Sequence, residues 1–130
     1  MIPVEHVAWQ VKDPTAVAQW YAQHLGFHVL RKQDKPPFTH FIADAAGRVV
    51  IELYNRPEIP VPDYAKMNPL QLHLAFQAED LDAERDRLVK AGATVAEERS
   101  TNAAGDWLIM LRDPFGFPIQ LCKRVHRMLG

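Results

Sequence analysis

His6-Val7-Ala8-Trp9-Gln10-Val11-Lys12-Asp13 returns later in the chain as His73-Leu74-Ala75-Phe76-Gln77-Ala78-Glu79-Asp80. Internal repetition decides architecture before any single motif does, and these units are far too long for a solenoid. Two similar half-domains are implied. Each copy runs on into a helical stretch and then a glycine turn, Leu25-Gly26-Phe27 in the first half and Ala91-Gly92-Ala93 in the second. Each half then closes in an apolar strand carrying a polar residue. In Val49-Val50-Ile51-Glu52-Leu53-Tyr54 that residue is Glu52; in Phe117-Pro118-Ile119-Gln120-Leu121-Cys122 it is Gln120, at nearly the same offset from its histidine.

Around the first copy, alternation predicts a strand over 3–11, and Asp13-Pro14-Thr15 opens a helix that runs to about His24, with proline in the first turn. Val17, Trp20, Tyr21 and Leu25 give that helix one apolar stripe. Strands over 27–32, 38–44 and 48–54 come next, with Ala45-Ala46-Gly47 as the last hairpin turn. The second half repeats the order: a strand over 70–78, a helix from about Leu81 to Lys90, and strands near 94–99, 106–112 and 117–123. Asp113-Pro114-Phe115-Gly116 makes the tight turn between the last two. The expected fold class is therefore α+β, two tandem βαβββ modules forming a cavity around a pseudo-twofold axis. The modules span about 1–56 and 70–124 of one 1–130 domain, joined by a proline-rich linker over 57–69. The tail from Arg124 to Gly130 reads as a loose end or an oligomer contact.

At 130 residues the chain supports one real core but not two independent ones, so the halves are expected to share it. Its 15 basic and 16 acidic residues nearly cancel, which gives no electrostatic reason for nucleic acid or an anionic membrane as partner. A small molecule or another protein is the expected partner. The lone Cys122 excludes an internal disulfide, and the N-terminus lacks the basic and long apolar segments of a secretory signal. No apolar run approaches the roughly 20 residues that span a bilayer. A reducing cytoplasm is the expected location.

Side chains alternate across a strand, so each strand separates into two faces. Val7, Trp9 and Val11 oppose His6, Ala8 and Gln10; Leu72, Leu74 and Phe76 oppose Gln71, His73, Ala75 and Gln77. In the closing strands Ile51 and Leu53 oppose Val50, Glu52 and Tyr54, while Phe117, Ile119 and Leu121 oppose Pro118, Gln120 and Cys122. One face suits a helix. The other carries His6, Glu52, His73 and Gln120.

Imidazole nitrogen and carboxylate oxygen are ligands of divalent first-row metals, and two histidines with one carboxylate recur in catalytic centres with open positions. Glutamine adds a neutral oxygen, so the set suits an octahedral ion with two water positions rather than a thiolate-rich structural zinc site. Polar residues on a solvent-facing strand are ordinary; matched positions in duplicated halves are what single out these four. His24, His28, His40 and His126 have no such counterpart and read as surface or core residues. Cys122, on the face of Gln120, reads as a small buried apolar residue.

These residues resemble the vicinal oxygen chelate superfamily, which includes glyoxalase I, methylmalonyl-CoA epimerase, extradiol ring-cleaving dioxygenases, and fosfomycin- and bleomycin-resistance proteins. The resemblance covers nearly the whole chain. It is carried by His6-Val7-Ala8, Trp20-Tyr21 through Leu25-Gly26-Phe27, Ile51-Glu52-Leu53, His73-Leu74-Ala75 and Asp113-Pro114-Phe115-Gly116-Phe117-Pro118-Ile119-Gln120-Leu121. Bacterial glyoxalase I is the closest likeness, and it implies metal ligation by His6, Glu52 and His73. It also implies substrate contacts by Arg31, after the Gly26-Phe27 strand start, and by Tyr54 and Asn55, and a homodimer with sites built from both subunits. Gln120 departs from the pattern, standing where glyoxalase-type enzymes resemble one another in having a glutamate that acts as base. A carboxamide cannot take a proton at any useful pH, which leaves Glu52 as ligand and base together.

The expectation is a metal-dependent glyoxalase-like lyase or isomerase, acting on a small carbonyl or thioester through metal-stabilised enediolate chemistry. Its cofactor would be a divalent ion: nickel, zinc, iron, manganese or cobalt. One alternative is a non-haem iron ring-cleaving dioxygenase built on the same two histidines and carboxylate. The other is a non-catalytic binding protein of the antibiotic-resistance kind, with Trp107, Phe38, Phe115 and Tyr54 lining a groove for a flat ligand.

Overall fold

The aspartates that end the repeated stretch each start a helix. The computed structural model describes residues 1–129; Gly130, the last residue of the tail, lies outside the described residues. Asp13 accepts a hydrogen bond from the Ala16 N–H at 3.1 Å, and Asp80 accepts one from the Ala83 N–H at 3.0 Å. Each such cap is worth about 1 kcal/mol. The helices are α1 (Pro14–Leu25) and α2 (Leu81–Lys90). Gly26, at φ 73°, ends α1 in the left-handed conformation that a side chain would resist.

The chain divides into two units, Met1–Pro62 and Asp63–Gly130. Around α1 the first holds β1 (Val7–Gln10), β2 (His28–Lys32), β3 (His40–Ala43) and β4 (Val50–Tyr54). The second holds β5 (Leu74–Gln77), β6 (Thr94–Thr101), β7 (Trp107–Arg112) and β8 (Pro118–Lys123) around α2. The sheets run in the orders β1-β4-β3-β2 and β5-β8-β7-β6. In each, the first strand lies parallel to the last and the other pairings are antiparallel. The fold is α+β, two tandem βαβββ modules.

Register is duplicated as closely as topology. Ala8 pairs with Glu52 and Ala75 with Gln120. Both second-strand pairings slip, between Val29 and Arg31 in one unit and between Val95 and Glu97 in the other. Such a bulge adds one residue and sharpens the local twist. The hairpin turns match too: Gly47 donates to the Asp44 carbonyl at 2.9 Å and Gly116 to the Asp113 carbonyl at 3.0 Å.

One face of each sheet is covered by its own helix. Ile51 and Leu53 of β4 and Ile109, Leu111 and Ile119 of the second sheet have no exposed surface. Val17, Ala18, Trp20 and Tyr21 of α1, and Leu81 and Leu88 of α2, are buried with them in their respective units. Removing each large aliphatic side chain from water stabilises the fold by about 1.5–3 kcal/mol.

The structure departs from the sequence expectation mainly at strand starts. β1 begins at Val7 rather than residue 3, and β5 at Leu74 rather than residue 70. The register explains both, because Val7 pairs with Ile51 and Leu74 with Ile119, each one residue inside the start of its partner strand. Upstream of that point each partner strand continues for only one residue. The expected linker over 57–69 contains a 3-10 turn, Tyr64–Lys66, that belongs to the second unit. Tyr64 is buried there with its ring 5.1 Å from that of Phe117. No helix is long and apolar enough to cross a membrane among the described residues.

Candidate functional site

In the first unit β1 and β4 bring His6 and Glu52 together on the face away from α1. Glu52 lies opposite Ala8, and His6 precedes Ala8 by two residues, so both side chains emerge on one face. His6 Nε2 stands 3.5 Å from Glu52 Oε1. Its Nδ1 is 3.2 Å from the Glu5 carboxylate, which is exposed. The imidazole and the Glu52 side chain are 32% and 22% exposed, open enough to meet a ligand.

The same face carries a transverse row across three ladders. Arg31 pairs with Phe41, Phe41 with Glu52, and Glu52 with Ala8. Phe41 presents an edge-to-face contact to the His6 ring at 5.6 Å, and the Arg31 guanidinium lies 5.9 Å from the Phe41 ring centre. Arg31 therefore shares a face with the ligand candidates, one aromatic ring removed from them. No chemical signal in the sequence marks Phe41; strand parity counted along β3 is what would find it.

The second unit repeats the row with different chemistry: Glu97, Met110, Gln120 and Ala75. His73 precedes Ala75 as His6 precedes Ala8. Its Nδ1 is 2.8 Å from the Pro69 carbonyl oxygen. A carbonyl only accepts, so Nδ1 carries a proton, and in the neutral ring Nε2 is the nitrogen with the lone pair. Cys122 lies two positions from Gln120 on that face and is buried. Burial pushes its thiol up, with the Arg124 charge pulling the other way; a protonated thiol is a poor metal ligand.

The remaining sequence candidates divide. Tyr54 lies on the face of Glu52, with the Arg56 guanidinium 5.6 Å from its ring centre. Asn55 is tied into the backbone: its side-chain amide donates to the Lys12 carbonyl at 2.9 Å and its N–H to the Pro37 carbonyl at 2.8 Å. Trp107 is not brought to the Gln120 face. It pairs with Lys123, an odd step from the Met110–Gln120 pair, and so emerges on the helix side. There it lines an open groove of about 350 Å³ with Glu79, Asp80 and Arg99, the Arg99 guanidinium 4.6 Å from its ring centre.

Gln10 is a residue whose part does not show in the sequence. It is buried, donates to the Arg56 and Ile59 carbonyls at 2.7 and 2.8 Å, and accepts from the Arg56 N–H at 2.9 Å. It pins the chain leaving β4. Among the described residues no three His, Cys, Asp or Glu side chains form a cluster fit for a metal ion. The first unit supplies an imidazole and a carboxylate, the second an imidazole and a carboxamide.

A family model described as Glyoxalase/Bleomycin resistance protein/Dioxygenase superfamily matches residues 4–121, nearly the whole length. The chain belongs to that superfamily. It is 30% identical over 132 residues to a probable lactoylglutathione lyase of Vibrio cholerae, covering 96% of this chain and 93% of that one. It is 34% identical over 97 residues to an ethylmalonyl-CoA/methylmalonyl-CoA epimerase of Cereibacter sphaeroides, covering 71% of this chain and 72% of the relative. Among solved structures, a glyoxalase family protein from Bacillus cereus superposes with a TM-score of 0.78 at 17% identity, covering 97% of this chain and 96% of that one. That likeness concerns the superfamily fold alone.

Proposed function

We propose that this superfamily member is a metal-dependent lyase or isomerase that moves a proton next to the carbonyl of a small ketone, aldehyde adduct or thioester. The observation that carries the reading is the pairing of His6 and Glu52 on the open sheet face, with His73 and Gln120 at the duplicated register positions. Two relatives named as a lyase and an epimerase of thioester-type substrates support it.

The donor atoms fit a divalent ion. His6 offers Nε2 beside a carboxylate oxygen, His73 has Nε2 free because Nδ1 is spent on a carbonyl, and Gln120 adds a neutral oxygen. His6, Glu52, His73 and Gln120 would hold the metal, which would polarise the substrate carbonyl and so acidify the adjacent C–H. Glu52 would take the proton from that carbon and return it to the neighbouring carbon. Proton transfer by a placed carboxylate is worth about 100- to 10,000-fold in rate. Arg31, on the row of Glu52, would receive an anionic part of the substrate, and Tyr54 would line the same face.

The test is elemental analysis of protein prepared without chelator, followed by turnover of methylglyoxal–glutathione hemithioacetal and of 2-methyl-branched acyl-CoA thioesters in each metal form. About one metal per complete ligand set, with turnover in at least one form, is expected. Oxygen uptake with a catechol under ferrous iron would transfer the assignment to ring cleavage. Tight small-molecule binding unaffected by a chelator, without turnover, would transfer it to sequestration.

A further inference from the structure

We infer that Arg112 is a positioning residue for His73, setting from the far end of β7 which imidazole nitrogen is offered to the site. The inference rests on the reading of His73 as a ligand. Arg112 points its guanidinium not at any carboxylate but at three backbone carbonyls. It donates through Nη1 to Tyr64 at 2.7 Å and Gly116 at 3.2 Å, and through Nη2 to Met67 at 2.7 Å. Charge-assisted bonds of this kind are stronger than neutral ones. They hold the chain from Tyr64 to Met67 against the β7–β8 hairpin.

What Arg112 fixes is the entrance to the turn that orients His73. Directly after Met67, the Asn68 carbonyl accepts from the Gln71 N–H at 2.9 Å, and the Asn68 side chain accepts from the Leu70 N–H at 2.9 Å. The Gln71 side chain returns to the Asn68 N–H at 3.2 Å. Pro69 is the first central residue of this turn, and its carbonyl receives His73 Nδ1 at 2.8 Å. Gly116 lets the supporting parts close: a Cβ there, at φ 89°, would sit 2.8 Å from the Cβ of Ala65. Every member lies within the second unit. Among the described residues His6 has no counterpart to this support, and its Nδ1 meets the exposed Glu5 side chain.

A partner that holds the non-ligating nitrogen fixes tautomer and ring orientation, and losing it typically costs about 10- to 100-fold in metal affinity. The experiment is nitrogen-15 NMR of the imidazoles in metal-free wild type, Arg112→Lys and Arg112→Gln, with zinc titration of the same samples. Wild type should show His73 protonated at Nδ1 with Nε2 bare. Arg112→Gln should move His73 toward a mixture of tautomers and weaken zinc about 10- to 100-fold, Arg112→Lys should fall between, and His6 should not change. Gly116→Ala, which displaces the same segment while keeping Arg112, should shift His73 in the same direction and serves if the Arg112 variants do not fold. A folded Arg112→Gln protein whose His73 tautomer matches wild type would overturn the inference. Wild type that binds no metal would defeat the ligand reading, while the tautomer shift would still decide the role of Arg112.

Discussion

The two units share a frame and differ in chemistry. The parallel-strand register, the first bulge of the second strand and the helix cap coincide. Yet the row Arg31-Phe41-Glu52-Ala8 stands against Glu97-Met110-Gln120-Ala75, so at the position beside the alanine the first unit has a carboxylate and the second a carboxamide, while Glu97 stands where the first unit has Arg31. The second unit instead has the more firmly held histidine, its Nδ1 spent on a backbone carbonyl at 2.8 Å, where His6 meets an exposed carboxylate at 3.2 Å. Duplication provided two equivalent positions, and substitution left a carboxylate at one and a carboxamide at the other. That division of labour is open to direct test.

Glu52→Gln makes the two positions identical and should have the largest effect. The metal would retain both histidines, but no group at either position could accept a proton. Turnover should drop about 100- to 10,000-fold in samples matched for metal content. A smaller loss than about tenfold would move the base elsewhere and remove the asymmetry from the mechanism.

Beneath the chemistry the halves should respond alike. Ile51 and Ile119 occupy equivalent positions and neither has any exposed surface. Ile51→Ala and Ile119→Ala should each lower stability by about 2–5 kcal/mol in urea unfolding, the cost of a lost side chain and the cavity it leaves. Values differing by more than about 2 kcal/mol would show that one helix-covered core relaxes and the other does not.

Gln120→Glu is the converse of the first change and should act more gently. A second carboxylate adds charge to the ligand set, so zinc should bind at least about tenfold tighter, the factor corresponding to 1.4 kcal/mol. Turnover of the hemithioacetal should rise if a base on the second side improves proton transfer. Unchanged affinity in a folded variant would remove Gln120 from the ligand set.

Much of this is legible in the sequence because the repeat supplies two readings of each element. Both helices, every strand and the opposed faces follow from alternation and from the aspartates that end the repeated stretch. What escapes is pairing. Phe41 goes unmarked because its place beside Glu52 is set by the β3–β4 register, Arg31 reaches Phe41 only through a bulge at Leu30 that no local pattern announces, and Trp107 is grouped with a face to which it does not belong. Asp44 and Asp113 occupy matching hairpin positions and accept backbone N–H groups alike, from Arg48 and Val49 and from Phe115 and Phe117. The first is hidden because its turn has a different length and no proline. Arg112 is invisible for another reason: its partners are backbone carbonyls, which carry no sequence signature.

The smallest expected effect separates the two units by pH. In the first, Asp44 holds a hairpin; burial works to raise its pKa, but the N–H groups of Val49, Arg48 and Ala46 prevail and keep the carboxyl below its ordinary range. In the second, Asp106 is lowered chiefly by the Val125 N–H, then by the Asn102 side chain and the Arg124 guanidinium, which together tie down the chain after β8. A carboxyl depressed in the folded state contributes stability above its unfolded pKa, and that contribution fades as pH falls through the folded value. Docking of residues 124 and 125 should therefore be constant from neutral pH down to about 4, near the ordinary aspartate value, and loosen only below it. Amide exchange at Val125 measures this directly, and Asp106→Asn should leave that exchange free of the acid transition while the Asp44 hairpin keeps its own. Loosening that begins more than about one pH unit above the ordinary aspartate value would mean that Asp106 does not hold the tail.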